Sequence, residues 1–134
     1  MPDRFPFADV SVDIEKMVPI GKFSPIVSRT VNGAKFLYVS GTAAVGQAPY
    51  DIGRQTIITF ATIHKLLQSH GSGLEDVVKL TAFLTDIREW EQYNEARNKV
   101  FEFVDQPPTS SAIEAKLVSP ELRIEIEAFA IAAG

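Results

Sequence analysis

The sequence predicts an α+β domain in which a mixed β-sheet carries two helices on one face, in the order β-β-α-β-α-β-β. Three observations predict it. An Asn32-Gly33 dipeptide separates two β-rich runs. Two later stretches repeat apolar residues at helical spacing, and two others alternate apolar residues with polar or charged ones.

Residues 1–24 hold three prolines and no sustained period, so they read as an irregular lead-in with Phe5 and Phe7 as its anchors. Residues 26–31 and 35–40 form a hairpin, because Asn-Gly tolerates the positive φ angles of a tight turn. A loop over 41–50 follows. Asp51 can accept the first free N–H groups of a helix running to about His70, with Thr56, Phe60, Ile63 and Leu67 on its inner face. Gly71 supplies a left-handed stop. Residues 77–85 are a strand by their β-branched content.

A second helix is expected over 88–104, turning Trp90, Tyr93, Arg97, Val100 and Phe101 inward, and Pro107-Pro108 forbids its continuation. Strands over 109–117 and 122–131 complete the set, joined by residues 118–121. Alternation sorts their side chains. Val78, Leu80, Ala82 and Leu84, with Leu122, Ile124, Ile126, Ala128 and Ala130, should meet the helices. The opposite rows, including Phe83, Arg123, Glu125, Glu127, Phe129 and Ile131, mix charge with apolar surface. Ser110, Ala112, Glu114 and Lys116 share parity in the strand before the last and are grouped with them. Apolar surface of that kind is usually covered, so self-association is expected, with Glu125 and Glu127 partly desolvated at the junction. If the last two strands pair, Glu114 opposite Arg123 is favourable and Glu114 opposite Glu125 is not.

The 134 residues are 46% hydrophobic and 22% charged, which fits one domain over 1–134. A net charge of −4 without clustered Lys and Arg argues against nucleic acid as a partner. The absence of cysteine excludes disulfides, thiolate nucleophiles and Cys-based zinc sites. Neither a secretory start nor a membrane-spanning apolar run is visible, so a cytoplasmic location with no membrane partner is the expectation. No phosphate-cradling glycine motif occurs. His64 and His70, the only histidines, read as helix-surface residues, and no metal is expected.

Four segments taken together resemble the YjgF/YER057c/Rid (reactive-intermediate deaminase) family: FLYVSGTAAV, DIGRQT, SGLEDVVKLTAFLTDIREWEQYNEARNKVF and RIEIEAFAIA. The match spans roughly 25–132. It implies a chorismate-mutase-like fold, a homotrimer with a barrel-like core, and a cleft at each subunit junction that binds a small molecule. In the deaminase branch that cleft hydrolyses enamine or imine acids without a cofactor. Carried over by position, Ser40 matches the serine of the S-G motif. Asn94 matches an asparagine near the site, and Glu125 matches the glutamate that handles water. For Glu125 the competing reading is an ion pair with Lys116 or Arg123. For Ser40 it is backbone capping, and for Asn94 a helix-surface amide.

This chain departs from the pattern on two strands. The arginine that grips the substrate carboxylate is replaced by Ser110, and a cysteine on the same strand by Ala112. Ile26 stands for a tyrosine of the first strand. Residues 21–25 and Ser40-Gly41-Thr42 are similar to 2-aminomuconate deaminases. The resemblance therefore implies an imine hydrolase with altered or reduced activity on simple 2-imino acids, Ser110 and Ile26 shaping the pocket, and Arg29 or Arg123 as possible replacements for the arginine. The rival readings are a non-catalytic trimeric metabolite-binding protein and, disfavoured by the acidic charge, a ribonuclease or translation inhibitor.

Overall fold

The structure, a computed structural model, describes residues 10–17, 21–45 and 51–133. Five strands and two helices follow the expected order: β1 (Ile26–Val31), β2 (Ala34–Thr42), α1 (Ile52–Gln68), β3 (Val77–Leu84), α2 (Trp90–Val100), β4 (Thr109–Glu114) and β5 (Ile124–Ala133). The sheet order is β1-β2-β5-β3-β4, antiparallel throughout except for the parallel β3–β4 pair at one edge. Phe5, Phe7 and the second half of the 41–50 loop lie outside the described residues. Within the lead-in, Asp13 caps a single 3₁₀ turn (Ile14–Lys16), and Ile14 and Met17 pack against the core.

The β1–β2 turn forms as the Asn-Gly pair dictates, with φ of 50° at Asn32 and 81° at Gly33. Asp51 caps α1 by accepting the Arg54 N–H at 2.9 Å, and Gly71 follows its end with φ 77°. The inner face of α1 is completely buried at Thr56, Phe60, Ile63 and Leu67. Its threonines are tolerated there because Thr56, Thr59 and Thr62 donate their hydroxyls to the carbonyls four residues earlier, at 2.7–2.9 Å. Gln55, also buried, clamps the approach to β5. Its Nε2 donates to the Glu121 carbonyl and its Oε1 accepts from the Arg123 N–H. Leu80, Ala82 and Leu84 meet the same core as Ile124, Ile126, Ala128 and Ala130, and Phe60 packs edge-on against Phe101 at 5.3 Å.

Several expectations change. The second helix is shorter than 88–104. Asp86 caps a separate 3₁₀ turn (Ile87–Glu89), α2 starts at Trp90, and Trp90 is exposed because the inward stripe begins one turn later, at Tyr93. In β3 the extra residue Val78 is bulged against β5, so Val77 is buried and Val78 points out. β4 and β5 do not pair, because β3 runs between them. The proposed facing of Glu114 with Arg123 or Glu125 is therefore absent. Glu114 accepts the Ile87 N–H at 3.0 Å instead. Ser110, Ala112 and Glu114 stand beside Leu80, Ala82 and Leu84 in parallel register, so they belong to the helix side of the sheet and not to the open face.

His64 is not a surface residue. It is buried, and its Nδ1 accepts the Leu74 N–H at 3.2 Å, which ties α1 to the turn before β3. Burial lowers its pKa from the ordinary value.

The open face carries the apolar surface anticipated from the sequence. Tyr38 and Phe129 contact at 4.8 Å, Phe36 and Phe129 stack at 6.2 Å, and Tyr38 and Ile131 remain exposed.

Candidate functional site

The residues singled out from the sequence fall into two groups in different parts of the sheet. The first is built on β2 and β5. Between Val39 and Thr42 the β2–β5 register slips, so Ser40 and Gly41 together span the place of one partner residue. The Glu125 carboxylate lies over this bulge. A Cβ on Gly41 would come within 2.6 Å of Glu125 Oε2, so only glycine leaves the carboxylate its place.

Glu125 is half-buried, and among the described residues no cation or N–H group engages it. Burial, reinforced by the negative charge of Glu127, raises its pKa above the ordinary carboxylate value. The ion pair with Lys116 or Arg123 is absent. Arg123 is held by Glu89 through two contacts, at 2.8 and 2.6 Å.

Ser40 performs a backbone task. Its hydroxyl donates to the Ser24 carbonyl at 2.6 Å and its N–H to the Pro25 carbonyl at 2.9 Å, fastening the chain that enters β1. Ile26, opposite Val39, packs against the core from this same end of the hairpin.

The second group lies at the other edge, between α2 and β4. Arg97 is its centre, a residue the sequence placed on the inner side of the helix without assigning it a role. Its Nη1 donates to Ser110 Oγ at 3.1 Å, and its Nη2 donates to Asn94 Oδ1 and, at 3.3 Å, to Asn98 Oδ1. The guanidinium sits 5.4 Å from the centre of the Tyr93 ring, in cation–π contact. Ala112 packs against the core one pleat further along β4. Arg97, Asn98, Phe101, Pro107, Pro108 and Ser110 line a groove of about 420 Å³.

The signal for Arg97 was its spacing. It follows Asn94 by three residues, which places both on one helical face, above the strand that carries Ser110. Arg29 is exposed, and its Nη1 donates to the adjacent Ser28 carbonyl. Arg97 is therefore the arginine beside Ser110, not Arg29 or Arg123.

One chain does not bring the two groups together. β3 separates β5 from β4, and Glu125 and Ser110 face opposite sides of the sheet. Among the described residues, no group of three or more metal-ligating side chains occurs, and no helix is long and apolar enough to cross a membrane.

The comparisons agree with this architecture. The endoribonuclease L-PSP family model matches residues 14–132. A RutC family protein of Aquifex aeolicus is 30% identical over 118 residues, covering 85% of this chain and 91% of the relative. TdcF of Escherichia coli, provisionally named a reactive intermediate deaminase, is 26% identical over 123 residues, covering 88% and 95%. The crystal structure of a Mycobacterium tuberculosis member of the YjgF/YER057c/UK114 family superposes with a TM-score of 0.66 at 31% identity, covering 75% of this chain and 85% of that one. E. coli TdcF with bound serine superposes with a TM-score of 0.73 at 22% identity, covering 86% and 91%, and shares the fold. With its sheet order, its helices on one face and a family match over nearly the whole described chain, this protein belongs to the endoribonuclease L-PSP family, the YjgF/Rid proteins.

Proposed function

We propose that this protein is a cofactor-independent imine and enamine hydrolase that releases ammonia from a small carboxylate-bearing metabolite. The observation that carries the reading is the Glu125 carboxylate, half-buried over the Gly41 bulge with its pKa raised and, among the described residues, no cation neutralising it. A carboxylate so placed is a better proton acceptor than an exposed one, and imine hydrolysis needs such an acceptor.

Glu125 takes a proton from water as the water oxygen bonds to the imine carbon. The resulting carbinolamine receives that proton on nitrogen. The carbinolamine hydroxyl then gives up its proton, which Glu125 passes to the nitrogen, as the C–N bond breaks and the carbonyl forms, and ammonia and the 2-oxo acid leave. An enamine such as 2-aminoacrylate enters the same route after tautomerising to its imine.

The two half-sites imply assembly. Glu125, with Ser40 and Ile26 at the same end of the hairpin, belongs to one copy, and Asn94, Ser110 and Ala112 to its neighbour. In this reading a homotrimer forms the complete cleft by covering the open sheet face, whose aromatic residues are too apolar to remain in water. The test generates 2-aminoacrylate or 2-aminomuconate in a coupled assay and follows ammonia. The expected outcome is a rate well above the uncatalysed background, with both half-sites required. A wild-type protein that binds the product 2-oxo acid but never exceeds background would establish the rival reading, a metabolite-binding protein without catalysis.

A further inference from the structure

We infer that Arg97, on helix α2, is the residue that holds the anionic end of the ligand, working together with the Ser110 hydroxyl. The inference rests on the proposed function for the identity of the ligand but not for the existence of the site. Arginine presents five N–H donors in a planar fork suited to a carboxylate. In Arg97 three of them are engaged, by Ser110, Asn94 and Asn98, and all three partners are neutral oxygens. Among the described residues no carboxylate pairs with it. By contrast, Arg88 is matched to Asp86 and Arg123 to Glu89. Arg97 is thus a half-buried cation oriented by amides and an aromatic ring, with charge left to satisfy.

The hydroxyl of Ser110 completes the arrangement. Its oxygen accepts from Arg97. No acceptor for its own proton is found among the described residues, so it can donate outward beside the guanidinium. A carboxylate in the groove would then receive one charged and one neutral donor side by side. An arginine at position 110 would instead place a second guanidinium against the first, so a small residue at 110 and a cation at 97 go together. The remaining groove wall, Phe101, Pro107 and Pro108, is apolar and rigid. The ligand class that fits is a small carboxylic acid with a flat body, one carboxylate set against Arg97 and Ser110.

The experiment titrates pyruvate, the 2-oxo acid that 2-aminoacrylate hydrolysis yields, into the full-length protein by calorimetry, and follows the Arg97 Nε–H resonance by NMR. Wild type is expected to bind with a shift of that resonance. Arg97→Gln should weaken binding at least tenfold, Arg97→Lys should keep part of it, and the double variant Arg97→Gln/Ser110→Arg should recover it, which an unfolded protein could not do. Equal affinity in wild type and Arg97→Gln, or no pyruvate binding in wild type, would overturn the inference. The two proposals can fail separately. Arg97-dependent pyruvate binding without ammonia release leaves the anion site and removes the hydrolase. Ammonia release with an unchanged KM in Arg97→Gln leaves the hydrolase and removes the anion site.

Discussion

The surroundings of Glu125 and of Arg97 hold a charged group in place by opposite means. Glu125 is positioned by backbone: a bulge of two residues and a glycine with no Cβ leave room for a carboxylate that no other described residue binds. Arg97 is positioned by side chains, with three oxygen acceptors and an aromatic ring fixing its plane. The first arrangement leaves the charge uncompensated and raises its proton affinity, which suits a group that must exchange protons. The second leaves the charge permanent and oriented, which suits a group that must only hold.

Breaking the backbone device should have the larger effect. Gly41→Ala places a methyl where Glu125 Oε2 lies, and a shift of about 1 Å in a reacting group can cost about 10²-fold in rate. Ammonia release should fall on that scale while circular dichroism and pyruvate binding are retained. A fully active Gly41→Ala protein would show that the position of Glu125 is not critical.

Next in size is the clamp that delivers β5. Gln55→Ala leaves the Arg123 N–H and the Glu121 carbonyl without their buried partner, at a cost of about 1–3 kcal/mol in denaturant unfolding. The loss should also loosen the strand that carries Glu125, so activity should decline more than pyruvate affinity.

Two pH effects then sharpen the contrast. For Glu125 the folded pKa is raised, so its contribution to stability is present below the ordinary carboxylate value and lost as pH rises through the raised one. Glu125→Gln should therefore raise Tm at pH 7 and change it little near pH 4. For His64 the folded pKa is lowered, so its contribution is present above 6.5 and lost as pH falls through the lowered value. Stability measured between pH 7 and 5 should decline less in His64→Gln than in wild type.

The smallest effect is expected beneath Arg97. Tyr93 is fully buried and its hydroxyl has no hydrogen-bond partner among the described residues, so Tyr93→Phe should be neutral or slightly stabilising. It should leave pyruvate affinity within about twofold, because Phe keeps the aromatic face.

Much of the fold was legible because local chemistry decided it. Asn32-Gly33 permits only a tight turn, Asp51 and Gly71 bracket α1, and the aliphatic row from Leu122 to Ala130 is buried as its alternation requires. What misled was tertiary. The bulge at Val78 inverts the parity of the two valines, and the insertion of β5 between β2 and β3 leaves β4 at an edge, turning Ser110 toward α2. His64 reads as a surface residue until the Leu74 N–H gives its ring nitrogen a buried partner. In the site, Glu125 was legible as a charged residue in a β-rich row, yet its dependence on Gly41 needed the register slip. Arg97 could not be chosen over Arg29 and Arg123 until the strand order placed Ser110 beneath it.

The most direct test of the central claim is the pH dependence of kcat/KM for ammonia release, compared between wild type and Glu125→Gln. With Glu125 as the proton acceptor, the wild-type rate should rise with pH along an acid limb displaced above the ordinary carboxylate value of 4.5. Glu125→Gln should lose that limb and about 10²–10⁴-fold in rate. A Glu125→Gln protein with the wild-type rate and the same acid limb would contradict the account.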